Sequence, residues 1–403
     1  MSRKTLTREL INIDSEIESK IDDIIPSDMT VLVTGANGYI ASVLIKILID
    51  DGFNVRGTVR GSINDSRYDF LYNISNTNRI ELYQCNLLEP NNWDHAINGC
   101  QYVFHVASPV GKLSESQSIK NHEYYVDPPT TGIKYILDAC KKYNIKRVIY
   151  TSSSSTCMIN ITSNMKVSKF DTAFWTDITD IKVHKYTVGK VRTEEYFWWF
   201  IKENNMEGVS LHPGSVIGPL IPTFNGNEPP VSLFHGIISQ LCGYFPTLLM
   251  TTFVDVRSVA RAHINAILKP KSIVNGKRYL LISNVCSNHT VSQILYKKYN
   301  NKYGTNIKPY SDTYLWFKSY FVPYSQGKQL RMNIQRNYLI NNQPSISELG
   351  VKYYDFEKSV IDSAESLINL GLIKENKNNK QIITKILITI GIVGLSGLIL
   401  YKY

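Results

Sequence analysis

The sequence predicts an α/β fold: a doubly wound parallel sheet with a smaller C-terminal lobe, an N-terminal helix and a C-terminal membrane helix. Three observations predict it. Short apolar runs alternate with helix-length segments from Met29 to about Pro213. A glycine turn directly follows the first run and opens the first helix. A nearly unbroken apolar stretch, residues 386–401, lies near the end of the chain.

The elements follow in order. Residues 30–34 read as a strand and 39–50 as a helix; 54–60, 80–83 and 102–106 read as further strands. A helix at 131–143 leads to a strand at 147–151, and a helix at 186–204 leads to a strand at 209–212. Strands joined by crossover helices form a parallel sheet covered on both faces, so they read as apolar throughout. After Pro219 the rhythm changes. Pro222, Asn225, Gly226, Pro229 and Pro230 mark a long loop, and shorter elements run to Leu372.

The chain has 403 residues and a formal net charge of +10. Its basic residues are scattered, without a stripe interleaved with aromatics, so no nucleic-acid partner is expected. Cys85, Cys100, Cys140, Cys157, Cys242 and Cys286 form no C-x-x-C pair and fall mostly in apolar segments. They read as reduced, buried thiols. No His/Cys cluster has metal-ligand spacing, and no metal is expected.

The two ends differ. Leu6, Leu10, Ile13, Ile17, Ile21 and Ile24 recur at steps of three and four, one face of an amphipathic helix packed on the body or on a partner. Residues 382–401, about 20 in all, suffice to cross a bilayer core if Lys385 snorkels. Lys374, Lys377, Lys380 and Lys385 precede this run and Lys402 follows it. The positive-inside rule then predicts a single-pass anchor with the body facing the cytosol, in the endoplasmic reticulum or an outer organelle membrane.

The first turn reads Gly35-Ala36-Asn37-Gly38-Tyr39-Ile40-Ala41. Gly35 permits the tight turn, and Gly38 lets backbone amides approach a pyrophosphate at the helix N-terminus. Asn37, Tyr39 and Ile40 belong to the same cradle. The second strand ends at Arg60, with no carboxylate before Asp65. An arginine there suits the 2′-phosphate of NADP(H) better than the free 2′-hydroxyl of NAD(H).

Thr151 and four serines follow the fifth strand, and Tyr186 and Lys190 lie one turn apart on the next long helix. An ammonium beside a phenol lowers its pKa, and the phenol can exchange a proton with a carbonyl oxygen. A serine hydroxyl can steady negative charge on the same oxygen.

This ordered set resembles the extended short-chain dehydrogenase/reductases, in particular their dihydroflavonol reductase, cinnamoyl-CoA reductase and yeast methylglyoxal reductase branch. The resemblance rests on V-T-G-A-N-G-Y-I-A at 33–41, T-V-R at 58–60, F-H-V-A-S-P at 104–109 and K-R-V-I-Y-T-S-S at 146–153. D-T-A-F-W at 171–175, Y-T-V-G-K at 186–190, H-P-G-S-V-I-G-P at 212–219, F-V-D-V-R-S-V-A-R-A-H at 253–263 and E-L-G-V at 348–351 continue it. It implies a Rossmann-type sheet and a catalytic set of Ser153, Tyr186 and Lys190, with Ser152 and Ser154 as competitors for the serine. Asn86 and Leu87 stand where the family has an Asp-Leu pair near the adenine. Ala107 and Thr151 are expected to line the cofactor groove, and Pro213 and Val216 to lie by the nicotinamide.

The resulting expectation is an NADP-dependent oxidoreductase acting on a small-molecule carbonyl or alcohol. Its regions would be an amphipathic extension (1–28), the cofactor domain (29–219), a substrate lobe (220–372), a polar linker (373–381) and the anchor (382–401). The alternatives are an NAD-dependent 3β-hydroxysteroid or sterol dehydrogenase, a sugar-nucleotide epimerase, and a non-catalytic NADP(H)-binding sensor. A homodimer is compatible with each.

Overall fold

The computed structural model describes residues 26–373, apart from 75–76, 91, 109–121, 161–166, 180–184, 222–236, 238, 243–245, 322–326, 328–329 and 332. Its centre is a seven-stranded parallel sheet. The strands are β1 (Thr30–Val33), β2 (Asn54–Val59), β3 (Ile80–Gln84), β4 (Tyr102–His105), β5 (Arg147–Thr151), β8 (Gly208–Pro213) and β11 (Lys277–Leu281). Their spatial order is β11-β8-β5-β4-β1-β2-β3. From β1 the chain steps outward to β2 and β3, then returns to place β4 on the other side of β1. That reversal opens a crevice at the carboxyl ends of β1 and β4, where α/β sheets bind ligands.

The strands are apolar because helices cover both faces. Helices α1 (Tyr39–Asp50) and α4 (Val256–Leu268) pack on one face, against Val31, Val33, Ile149 and Val209. Helices α2 (His122–Lys142) and α3 (Lys185–Glu203) pack on the other, against Leu32, Val103 and Val148. Successive strand residues alternate between the two cores, as the period of two requires. Strand β11 comes from beyond Pro219, so the chain returns to complete the main sheet after leaving it, which the alternation up to residue 213 does not reveal.

Two three-stranded sheets build the remainder. One joins β9 (Ser215–Ile217), β10 (Met250–Asp255) and β12 (Asn284–Ser287); the other joins β6 (Met158–Asn160), β7 (Val167–Phe170) and β13 (Asn337–Ile340). Helices α5 (Asn288–Tyr299) and α6 (Phe356–Asn369) pack on each other beside β10.

The expected C-terminal membrane helix is corrected by the structure. Among the described residues no helix is long and apolar enough to cross a membrane. The two longest, α2 and α3, span 21 and 19 residues. They carry Lys134 and Asp138, and Lys190, Arg192, Glu194 and Glu195, the amphipathic pattern of helices lying on a sheet. An apolar run is a condition for a span but not a span, which also requires a continuous helix that satisfies its own backbone. The membrane partner and the anchored, cytosol-facing localisation inferred from that run lose their support with it. Residues 374–403, holding the linker after its first residue and that run, lie outside the described residues, as does the amphipathic segment up to residue 25. Pro26–Asp28 forms a single 3-10 turn.

Candidate active site

The glycine turn lies at the end of β1. Gly35 has φ +68°, and a Cβ there would stand 3.0 Å from the Ala107 Cβ. Glycine is required both by the left-handed backbone and by the close approach to the loop after β4. The turn is pinned to β2: the Gly35 amide donates to Thr58 Oγ1 at 3.0 Å and the Ala36 amide to the Thr58 carbonyl at 2.8 Å. Gly38 precedes α1 and no side chain caps that end, so first-turn amides are left for an anion. Asn37 and Gly38 are exposed, and Ile40 is half-buried against the core.

Arg60 is exposed immediately after β2. Uncapped amides, a cradle that a Cβ at Gly35 would fill, and a free-standing guanidinium near the next strand end suit a dinucleotide diphosphate and a further phosphate. Tyr39 has a different task. Its hydroxyl donates to the Gly218 carbonyl at 2.7 Å, tying the start of α1 to the loop after β9. Burial and the nearby Asp255 carboxylate hold its phenol well above the ordinary value.

The loop after β3 turns inward on itself. Asn86 donates to Glu89 Oε1 at 2.8 Å and accepts the Leu88 amide at 3.2 Å. Leu87 packs against Gly132 of α2, where an added Cβ would stand 2.8 Å from the Leu87 side chain. Both therefore stabilise the loop in this structure.

The chemical end lies where β5 stops and α3 begins. Tyr186 and Ser153 share a side-chain hydrogen bond. Burial raises the Tyr186 phenol above its ordinary value, and the Ser153 bond pulls it down. The sequence leads one to expect Lys190 to depress this phenol; here burial outweighs the Ser153 bond, and the phenol stays protonated at neutral pH. Lys190 itself is buried, with Nζ donating to the Thr151 carbonyl at 3.0 Å and lying 5.5 Å from the Tyr150 ring centre. Burial pushes its ammonium down to about 8, against the opposing pull of Glu194.

The hydrogen bonds separate the three serines. Ser152 is buried and donates to Glu194 Oε2 at 2.6 Å. Ser154 is also buried. Ser153 is half-exposed and accepts both the Ser155 amide at 3.2 Å and the Ser155 hydroxyl at 3.1 Å. With its oxygen so occupied, its own proton is left to donate toward Tyr186 or a substrate oxygen.

Thr151 departs from expectation. His263 Nδ1 donates to the Val259 carbonyl at 2.8 Å, so Nε2 accepts the Thr151 hydroxyl at 2.7 Å. The side chain faces α4; the Thr151 carbonyl, holding Lys190, is what it offers the site. A second neutral imidazole lies nearby. Thr34 Oγ1 accepts the Val106 and Ala107 amides at 3.0 and 2.9 Å, so its proton points to His105 Nδ1 at 3.0 Å. Burial, reinforced by Lys190, pushes His105 down to about 3. Pro213 closes β8, and Val216 lies buried in β9 beside Val254.

Sequence reasoning missed Glu194, His212 and Arg278. Glu194 is fully buried and within 3.1 Å of both His212 Nε2 and Arg278 Nε. Its one sequence signal is position: it follows Lys190 by four residues, as Lys190 follows Tyr186.

Residues 31–281 match the NAD dependent epimerase/dehydratase family. Cinnamoyl-CoA reductase 1 of Arabidopsis thaliana is 31% identical over 357 residues, 87% of this chain and 92% of that protein. Dihydroflavonol 4-reductase of Dianthus caryophyllus is 31% identical over 294 residues, covering 70% and 77%. Among solved structures, yeast methylglyoxal/isovaleraldehyde reductase complexed with NADPH superposes with a TM-score of 0.68 at 22% identity, covering 86% of this chain and 100% of that one. That last likeness is one of fold.

Proposed function

The chain belongs to the NAD dependent epimerase/dehydratase family, and on that premise we propose how its residues divide the work. It is an NADP-dependent oxidoreductase that interconverts a carbonyl and a CH–OH group by hydride transfer. The cofactor, when bound, supplies or accepts the hydride. The protein binds, orients and moves the proton.

The Asn37 amide and those of the first turn of α1 hold the diphosphate in the cradle that Gly35 and Gly38 leave open, and Arg60 holds the 2′-phosphate. Asn86 and Leu87 shape the adenine end as loop supports; Ala107, the Thr151 backbone, Pro213 and Val216 line the groove. Tyr186, protonated at neutral pH, gives its proton to the carbonyl oxygen in reduction and takes it back in oxidation. Ser153 donates to the same oxygen as negative charge develops. Lys190 holds the ribose and keeps a positive charge beside the phenol as it ionises. Residues 29–219 supply this machinery, and residues 220–372 close the substrate side around a small or lipophilic aldehyde or ketone.

The observation that carries this reading is the Ser153–Tyr186 hydrogen bond beside a buried Lys190. The experiment offers purified protein and NADPH a panel of aldehydes and ketones and follows cofactor absorbance. Substrate-dependent oxidation of NADPH, faster than of NADH, is expected. Cofactor binding with no reduction of any carbonyl would leave a sensor in place of an enzyme.

A further inference from the structure

A buried polar cluster lies behind the proposed catalytic residues and touches none of the reacting atoms. Its centre is Glu194. Its Oε2 accepts Ser152 Oγ at 2.6 Å and Thr156 Oγ1 at 2.9 Å. Its Oε1 meets Arg278 Nε at 2.8 Å, His212 Nε2 and Ser210 Oγ at 3.1 Å, and Trp198 Nε1 at 3.3 Å. Burial raises the Glu194 carboxyl, but His212 and Arg278 outweigh it and hold the group below the ordinary carboxylate range. It is therefore a fixed buried anion with every contact a donor.

Ser152 and Thr156 bracket the serine that faces Tyr186. The Ser153 carbonyl between them accepts the Thr156 amide at 3.0 Å, and lies 3.0 Å from Thr156 Oγ1 and 3.3 Å from His212 Nδ1. The other end of the brace is α3, where Glu194 stands one turn past Lys190 and two past Tyr186. A single carboxylate thus binds the serine turn to the helix that must present a phenol to it.

We infer that Glu194 is a positioning residue for the hydride-transfer site, holding Ser153 in register with Tyr186 through Ser152, Thr156 and His212. The inference rests on the proposed roles of Ser153 and Tyr186. Glu194 has a second effect through Lys190. That ammonium feels Glu194 one turn along its own helix, and it faces the Thr151 carbonyl and Tyr150 ring on β5 and His105 on β4; Tyr186 lies one turn before it. Glu194 is the ionised carboxylate among these described neighbours, and it supports the Lys190 charge.

The test is E194Q in the full chain, which keeps the shape but replaces one acceptor oxygen by a donor. NADPH affinity, measured by fluorescence titration, should change less than about 2-fold, because the glycine turn and Arg60 are untouched. The kcat should fall about 10²-fold, the scale of a catalytic group misplaced by an ångström. The alkaline break in the reductive pH profile, near 8 in the wild type, should move to lower pH, and E194D should return it toward 8. A crystal structure of E194Q should show the Ser153–Tyr186 hydrogen bond opened. A purely structural role would lower Tm and leave the pH break in place, and that result overturns the inference. If E194Q does not fold, S152A and T156V remove one strut each and should cost about 3- to 10-fold in kcat, the scale of one hydrogen bond. Full kcat in both overturns it. Wild-type turnover is the control: its absence refutes the assigned function, whereas wild-type turnover with an unaltered E194Q refutes the brace alone.

Discussion

The two ends of the crevice are built on opposite plans. At the glycine turn, Asn37, Gly38 and Arg60 are exposed and the end of α1 is uncapped. At the serine–tyrosine end, Lys190, Ser152 and Glu194 are buried and each has its partner already in place. On the proposed roles the first end captures a charged molecule out of water, so it needs unsatisfied donors, in a turn that Thr58 of β2 holds in place. The second must stabilise charge that exists only during reaction, so its dipoles are fixed beforehand in a dry, low-dielectric setting. Its pieces come from β5, α3, β8 and β11, and one charged partner, Arg278, lies 84 residues from Glu194 along the chain.

Breaking the buried end should cost the most. Tyr186→Phe removes the proton donor and keeps the ring, so kcat should fall about 10²–10⁴-fold. NADPH affinity by fluorescence titration should stay within about 2-fold. A variant retaining wild-type kcat would assign the proton to another group.

Breaking the open end should do the reverse. Arg60→Ala should weaken NADPH binding by about 10- to 150-fold, the worth of one charge-assisted contact, and spare NADH. Equal losses for the two cofactors would make Arg60 a support of the β2 end. Gly35→Ala acts on the same end through the backbone. A methyl at φ +68°, pressed on Ala107, should cost about 1–3 kcal/mol in denaturant-derived stability and weaken both cofactors together. Unchanged stability with unchanged binding would mean that the turn tolerates a Cβ.

The smallest effect sharpens the contrast. Asn86 has its amide engaged with Glu89 and the Leu88 backbone. Asn86→Ala should therefore change NADPH affinity less than about 3-fold, below the worth of a typical hydrogen bond. A larger loss would show that the side chain turns to the adenine when cofactor binds.

The same contrast explains what the sequence discloses. Gly35, Gly38 and Arg60 are legible as cofactor candidates because the role proposed for each rests on its own backbone or its place at a strand end. The strands through β8 are legible because a sheet covered on both faces gives each an apolar run. Tyr186 and Lys190 are legible as a pair one helical turn apart. Glu194 was not, although the same spacing continues to it, because a glutamate on a helix is ordinarily solvated. Only the fold reveals that Ser152, Thr156, His212 and Arg278 converge on it. Strand β11 was missed because an edge strand returning after a long excursion has no local mark of membership. The expectation of an anchor at 382–401 rests on the length, apolarity and flanking lysines of a run that lies outside the described residues, and among the described residues no helix is long and apolar enough to cross a membrane. The resemblance points to Ser153 with Ser152 as a competitor, and the fold adds that the buried carboxylate claims the Ser152 hydroxyl.

The most direct test follows a label. NADPH carrying deuterium at the transferable position of its nicotinamide is incubated with wild-type protein and a reducible carbonyl, and the product is examined by mass spectrometry and NMR. The account predicts one deuterium on the former carbonyl carbon, with the new hydroxyl proton drawn from solvent, and loss of that transfer in Tyr186→Phe. Cofactor that binds but passes no deuterium to any carbonyl carbon, or transfer that survives undiminished without the Tyr186 hydroxyl, would contradict it.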